Sequence, residues 1–341
     1  MLKRNLNRVF SKPTESLFQK YTDLILLQIM ASANSSASAG ISAGSVPAIR
    51  KAAVVIGIDY VGQSGSLQGC RADARAWHEA LVRHFGVSPE NITFMVDGPA
   101  AEHASYGTPP NKPVRAPTGK NIMQALVEVC ALANRHPELE EIWITYSGHG
   151  SYLHTSETSP SDGLNHANED DGRHETICPV DWQTSGMIVD DALHDILSLA
   201  PPTVRIISPI DACHSETALD LRYRYVSGIK NVVENPACKI KADCYMISGC
   251  RDTQTSADAP VGPAGAYSGA MTWAMLKTLK DYNYTITCYA LLKNMRELLK
   301  DREFSQVPQI TCTRPLNSSK MFACYHPDAC SRPSSSSSSS S

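Results

Sequence analysis

The chain has 341 residues, 42% of them hydrophobic, and a formal net charge of −3. That length and apolar content suffice to bury a large core, as one elaborated domain or two modest ones, and the near-balanced charge gives no reason to expect nucleic acid. Eleven cysteines, odd in number and scattered through predicted helices and strands as at Cys130, Cys244 and Cys250, read as reduced thiols in a reducing compartment and not as a disulfide scaffold.

Residues 1–20 carry Lys3, Arg4, Arg8, Lys12 and Lys20 against the single acid Glu15, and an apolar run, Leu24–Met30, follows Asp23. The run is too short to span a bilayer. The long charged start and Asp23 favour a pro-segment packed on the folded domain over a targeting peptide, although the Ala/Ser stretch at 31–44 could mimic a processing site. Residues 31–46 form a flexible linker, so 1–46 is read as pro-segment and linker, 47–325 as the folded domain and 326–341 as a disordered Ser-rich tail.

Within the domain, Ala52–Ile58 predicts a buried strand and Asp73–Phe85 a helix. Ile92–Val96 is a second strand. Thr118 caps a helix whose Ile122, Leu126, Val129, Cys130 and Ala133 share one face. Strands follow at Ile142–Tyr146, Val204–Ile210 and Cys244–Ser248, with helices near Met271–Leu279 and Tyr289–Lys300. This alternation predicts an α/β fold with a mainly parallel sheet and helices on both faces.

Two of these strands stop on a reactive side chain: the one at 142–146 runs into Ser147-Gly148-His149-Gly150, and the one at 204–210 into Asp211-Ala212-Cys213-His214-Ser215. In an open α/β sheet, residues that terminate neighbouring parallel strands face one crevice. A thiol there needs a base to form thiolate near neutral pH, and imidazole titrates in that range. Cys213 and His149 are therefore the candidate nucleophile and base; the plain alternative is an inert core thiol and a satisfied loop histidine. Gly148 and Gly150 allow close backbone approach, and their N–H groups are candidates for an oxyanion hole. His214 points to the opposite strand face from Cys213 and is read as structural.

Asp211 lies two residues before Cys213, on the same face while the pleat persists, and Asp73 opens a helix at the same sheet edge. Paired carboxylates beside a nucleophile would bind a Lys or Arg side chain by charge-assisted hydrogen bonds. Singly, Asp73 reads as a helix-start carboxylate and Asp211 as a turn residue.

Tyr146-Ser-Gly-His-Gly150 and Asp211-Ala-Cys-His-Ser215 resemble the two catalytic signatures of the metacaspases, caspase-like cysteine peptidases. Further matches are Ile56-Gly-Ile-Asp-Tyr60, Leu67-Gln-Gly-Cys-Arg-Ala-Asp73, Ile177-Cys-Pro-Val-Asp181, Ile188-Val-Asp-Asp191, the run Ile247–Asp258 and Gln306-Val-Pro-Gln309. The resemblance spans roughly residues 51–315 and looks closest to compact type I metacaspases of trypanosome-like protists. It implies a caspase-like three-layer sandwich with a mainly parallel sheet of six or more strands. It also implies cleavage of proteins or peptides after Arg or Lys, in a pocket lined by Asp73, Ser147 and Asp211, by a monomer, most simply a cytoplasmic one. Self-processing would use basic residues in predicted loops: Arg50, Lys51, Lys230, Lys239 and Lys241.

The same resemblance implies an activating calcium ion on Asp190, Asp191 and Asp220. The chain departs from the family at His174, where Asp is usual, and a nitrogen ligand weakens the expected calcium affinity. The acidic loop 162–171 lacks the EF-hand glycine and otherwise reads as solvated surface. A second departure, Glu216, stands where Gly usually follows the nucleophile's His-Ser and would crowd the turn or raise the thiol's pKa. These two residues favour a competing reading, a non-catalytic pseudopeptidase acting as regulator or scaffold. A thiol hydrolase of another caspase-related family is a third option that suits the acidic pocket less well. Cys324, His326 and Cys330 are too irregularly spaced to argue for zinc.

Overall fold

The structure is a computed structural model that describes residues 48–100, 102, 106–109, 111–154, 173–213, 218–225, 232–249, 258–259, 267–316 and 319–323. The pro-segment, the acidic loop 162–171, His214, Glu216, Lys230, the trio Cys324, His326 and Cys330, and the Ser-rich tail lie outside the described residues.

In chain order the elements are β1 (Lys51–Gly57), α1 (Cys70–Arg83), β2 (Ile92–Val96), α2 (Gly119–Arg135), β3 (Glu141–Ser147), β4 (Gly150–His154) and β5 (Arg173–Ile177). Next come α3 (Trp182–Ser185), β6 (Ile188–Val189), α4 (Asp190–Leu197), β7 (Arg205–Asp211), β8 (Tyr223–Tyr225), β9 (Val232–Glu234) and β10 (Asp243–Ser248). The last are β11 (Asp258–Ala259), β12 (Ser268–Gly269), α5 (Ala270–Asp281), β13 (Ile286–Thr287), α6 (Cys288–Asp301), β14 (Gln309–Cys312) and β15 (Met321–Ala323).

Eight strands form the main sheet in the order β2-β1-β3-β7-β10-β14-β8-β9. The first five are parallel, and β14, β8 and β9 continue the sheet antiparallel. Because side chains alternate along a strand, β1 sends Ala52, Val54 and Ile56 to one core and Ala53 and Val55 to the other. The first core is closed by Ile122, Leu126, Val129 and Ala133 of α2 with Leu193 and Leu197 of α4. The second is closed by Trp77 and Leu81 of α1, Met271 and Met275 of α5, and Leu291 and Met295 of α6. This is the expected three-layer α/β/α sandwich.

Local chemistry explains where boundaries moved. The α2 start is as read: the Thr118 hydroxyl accepts from the Asn121 N–H at 3.2 Å. The α1 start is not, for the helix begins at Cys70, three residues ahead of Asp73. Its free N–H groups are capped from a distance: Asp59 Oδ1, just beyond β1, accepts from Cys70 N at 2.8 Å and Arg71 N at 3.3 Å. Asp73 is thus a first-turn residue facing inward. Lys51 also moves, out of a loop and into the first position of β1.

Candidate active site

β3 and β7 are adjacent and parallel, with Tyr146 opposite Ile210 and Ser147 opposite Asp211. His149 and Cys213 therefore leave the sheet at the same edge, each two residues past that last pair. Gly148 N–H crosses between the strand ends to the Asp211 carbonyl at 3.2 Å. That bond commits Gly148 N–H to the fold, so it is not the oxyanion donor the sequence suggested. A side chain at Gly150 would strike the Cys213 carbonyl, so only glycine lets the two loops close on each other. Cys213 is half-buried.

His149 is held from three sides. Its N–H donates to the Tyr60 hydroxyl at 2.9 Å, its carbonyl accepts from Tyr146 Oη at 2.7 Å and from Cys178 N at 3.0 Å, and its ring lies 4.6 Å from that of Tyr60. Nε2 stands 2.6 Å from the Gly65 carbonyl. A carbonyl only accepts, so Nε2 carries a proton and Nδ1 is the nitrogen left for proton transfer. Burial raises the Tyr60 and Tyr146 phenols well above their usual range and keeps them neutral donors. Tyr60 also adopts a left-handed backbone, φ 53°, a strained conformation for an aromatic residue and a frequent companion of functional sites. The sequence placed Tyr60 in a motif without a role; its strain and its bonds to His149 and Cys178 emerge only in three dimensions.

One step back from the reactive pair lies an acidic cluster that unites Asp73, Ser147 and Asp211 as read from the sequence. Ser147 Oγ donates to Asp73 Oδ2 at 2.6 Å, Ser268 Oγ to Asp73 Oδ1 at 2.5 Å, and Gly269 N to Asp73 Oδ2 at 3.0 Å. Asp211 Oδ2 accepts from Thr272 N at 2.8 Å, in the first turn of α5. Asp73 and Asp211 are both buried, at 1% and 3% exposure. Burial, and then the Asp211 charge, push the Asp73 carboxyl up to about 8. Burial and the nearby Asp73 likewise raise the Cys70 thiol, which stays neutral. Ser268, Gly269 and Thr272 went unread in the sequence, since nothing local marks the first two as neighbours of Asp73 or the third as a neighbour of Asp211.

A third cluster follows from the small sheet β4-β5-β6. β5 pairs antiparallel with β6, Thr176 opposite Val189, which sets His174 across from the start of α4. His174 Nδ1 lies 3.6 Å from Asp191 Oδ2 and 3.9 Å from Asp190 Oδ1, and both His174 and Asp190 are fully buried. Asp190 also accepts from the N–H groups of Glu175 and Asp191, each at 2.8 Å. Asp220, with a left-handed backbone at φ 47°, does not join this group of potential ligand atoms.

Comparison with known proteins decides the family. A family profile described as "Metacaspase, peptidase C14 domain" matches residues 51–222, half of the chain and both reactive residues. The chain belongs to the metacaspase family. Metacaspase-1 of Ajellomyces capsulatus is 32% identical over 321 residues, covering 80% of this chain and 82% of that one. Metacaspase-1 of Meyerozyma guilliermondii is 32% identical over 314 residues, covering 78% and 70%. A crystal structure of a Geobacter sulfurreducens protein shares the fold at 21% identity and a TM-score of 0.50, over 79% of this chain and 95% of that one. As a metacaspase the chain is a cysteine-type peptidase with protein substrates. Among the described residues no helix is long and apolar enough to cross a membrane.

The metacaspase cluster at His174, Asp190 and Asp191 suits calcium poorly. Calcium takes six to eight oxygen ligands, whereas among the described residues this group offers one imidazole nitrogen and two carboxylates, one of which already accepts the Glu175 and Asp191 N–H groups.

Proposed function

We propose that this metacaspase is a monomeric endopeptidase that cuts polypeptides after Arg or Lys, with Cys213 as nucleophile and His149 as base. The observation that carries the reading is the register of β3 and β7, which sets Ser147, bonded to Asp73, against Asp211 and leaves His149 and Cys213 each two residues further on at the same edge. A basic substrate side chain entering between Asp73 and Asp211 meets two carboxylates in a low-dielectric setting, and the scissile carbonyl then falls toward Cys213.

His149 Nδ1 accepts the thiol proton, and the Cys213 sulfur attacks the carbonyl carbon to give a tetrahedral oxyanion. Collapse breaks the C–N bond as His149 returns the proton to the departing amine, leaving a thioester. A water molecule, deprotonated by the same nitrogen, then attacks that thioester and releases the acid. The Gly65 carbonyl keeps the imidazole in the tautomer that this cycle requires, and Tyr60 fixes its backbone and packs on its ring. No step runs through calcium, and the donor set supports at most a weak calcium response. Self-cleavage, if it follows the same specificity, has Arg50, Lys239 and Lys241 as exposed candidates, while Lys51 is held in β1.

The test is turnover of fluorogenic peptides ending in Arg, Lys or Asp by wild type and Cys213→Ala, with calcium and with chelator. Cleavage confined to Arg and Lys peptides and absent from the variant is the expected result. Activity surviving in Cys213→Ala overturns the nucleophile, and equal use of Asp peptides overturns the pocket. No cleavage of any peptide puts the regulatory pseudopeptidase in its place.

A further inference from the structure

The pocket's second carboxylate depends on a segment beyond the stretch that carries both catalytic signatures. β12 contributes Ser268 and Gly269 to the cluster, and α5 starts immediately after them. Ser268 Oγ lies 2.5 Å from Asp73 Oδ1, and Gly269 N 3.0 Å from Asp73 Oδ2. With Ser147 Oγ on Oδ2 as well, both oxygens of Asp73 are fixed, one of them by Ser268 alone among the side chains bonded to it.

Gly269 does something different. A methyl at this position would strike Asp211 Oδ2 and lie 2.8 Å from Asp73 Oδ2, so only glycine lets the β12 backbone pack this closely against both carboxylates. Neighbouring Thr272 N–H, at 2.8 Å from Asp211 Oδ2, anchors the other carboxylate to the first turn of α5, where a helix N-terminus favours negative charge. The groups facing Asp73 are thus Asp211 from β7, Cys70 from its own helix, Ser147 from β3 and Ser268 and Gly269 from β12.

We propose that Ser268 and Gly269 are specificity determinants of this protease: Ser268 is a positioning residue that aims Asp73 at a basic substrate side chain, and Gly269, by lacking a side chain, lets its N–H reach Asp73 without displacing Asp211. This rests on the Arg/Lys reading above. It adds that specificity is set jointly by α1, β7 and the β12–α5 junction.

Steady-state kinetics of Ser268→Ala, Ser268→Thr and Gly269→Ala on Arg, Lys and uncharged peptides test it, with iodoacetamide labelling of Cys213 as a control for an intact reactive pair. Ser268→Ala should raise KM for Arg and Lys peptides about tenfold with kcat nearly unchanged, the scale of one lost hydrogen bond to a charged group. The midpoint of its KM–pH profile should move upward, because Asp73 loses a donor that favours its charged form. Ser268→Thr should restore both. Gly269→Ala should abolish Arg and Lys cleavage while Cys213 still labels. A Ser268→Ala enzyme with wild-type KM and pH profile overturns the proposal while the Arg/Lys reading stands; a wild type without preference for basic peptides overturns both. Should Gly269→Ala fail to fold, the serine pair still decides the matter.

Discussion

Replacing Asp73 by Asn isolates the electrostatic strain of the acidic pair. In the unfolded chain Asp73 ionises near its ordinary value of 3.8, whereas in the fold it holds its proton to about 8. Between those limits the native state binds the extra proton, so wild-type stability is complete below about pH 4, declines as pH rises, and levels off above about pH 8. The decline is at most about 1.4 kcal/mol per pH unit, or roughly 2–3 kcal/mol between pH 6 and 8. Asn has the same shape and no charge, so Asp73→Asn lacks this slope. In a Cys213→Ala background the variant should match wild type only below about pH 4, and its melting advantage should grow by at least about 5 °C between pH 5 and pH 8.5. Circular dichroism melts at half-unit steps supply the comparison. A melting difference that stays flat from pH 5 to 8.5 would refute the claim that burial and Asp211 hold Asp73 protonated. The stabilised variant should also lose cleavage after Arg and Lys, since the strain and the recognition come from the same carboxylate.

Other substitutions probe the remaining parts of the site. Tyr60→Phe removes the acceptor for His149 N–H and a donor to the Cys178 carbonyl; kcat/KM should fall about tenfold, and an unchanged value would contradict the clamp on His149. Gly150→Ala drives a methyl into the Cys213 carbonyl and should eliminate both turnover and rapid iodoacetamide labelling, whereas retention of labelling would show that the two loops can part. His174→Asp replaces the nitrogen donor by oxygen and should tighten calcium binding at least about tenfold by calorimetry; equal affinities would show that the nitrogen donor does not limit calcium binding at this cluster.

The adjacency of the candidate pair was legible in the sequence because it obeys a local rule: β-branched runs of strand length ending on His149 and Cys213 need only be neighbours in a parallel sheet to leave it at one edge. The sandwich was legible for the same reason, its long strands and the amphipathic α2 carrying their own periodicity. What escaped reading is built from remote partners. The start of α1 is set by Asp59 across a turn, and no residue adjacent to Cys70 signals it. β8, β9 and β14 are three or four residues long, too short for a pattern, and exist because β10 offers them an edge. Ser268 and Thr272 have nothing to distinguish them from other hydroxyl residues until the fold brings them to Asp73 and Asp211.

The same dependence on remote partners ties recognition to chemistry in one piece of chain. Asp211 bonds to α5 through its carboxylate and to Gly148 through its carbonyl, and Cys213 follows two residues later. A shift of α5 that releases Thr272 N–H would therefore disturb the pocket, and through the same residue the seam that joins the His149 and Cys213 loops. His149, in turn, is held by Gly65 and Tyr60 from the loop between β1 and α1, the helix that carries Asp73. On the proposed reading, the cation pocket, nucleophile and base lie on segments joined by hydrogen bonds, and a basic side chain that binds Asp73 and Asp211 acts directly on the strand end that carries Cys213. For a peptidase with this architecture, substrates lacking the cation should lose kcat as well as affinity, because part of the binding interaction is made through the residue that places the nucleophile.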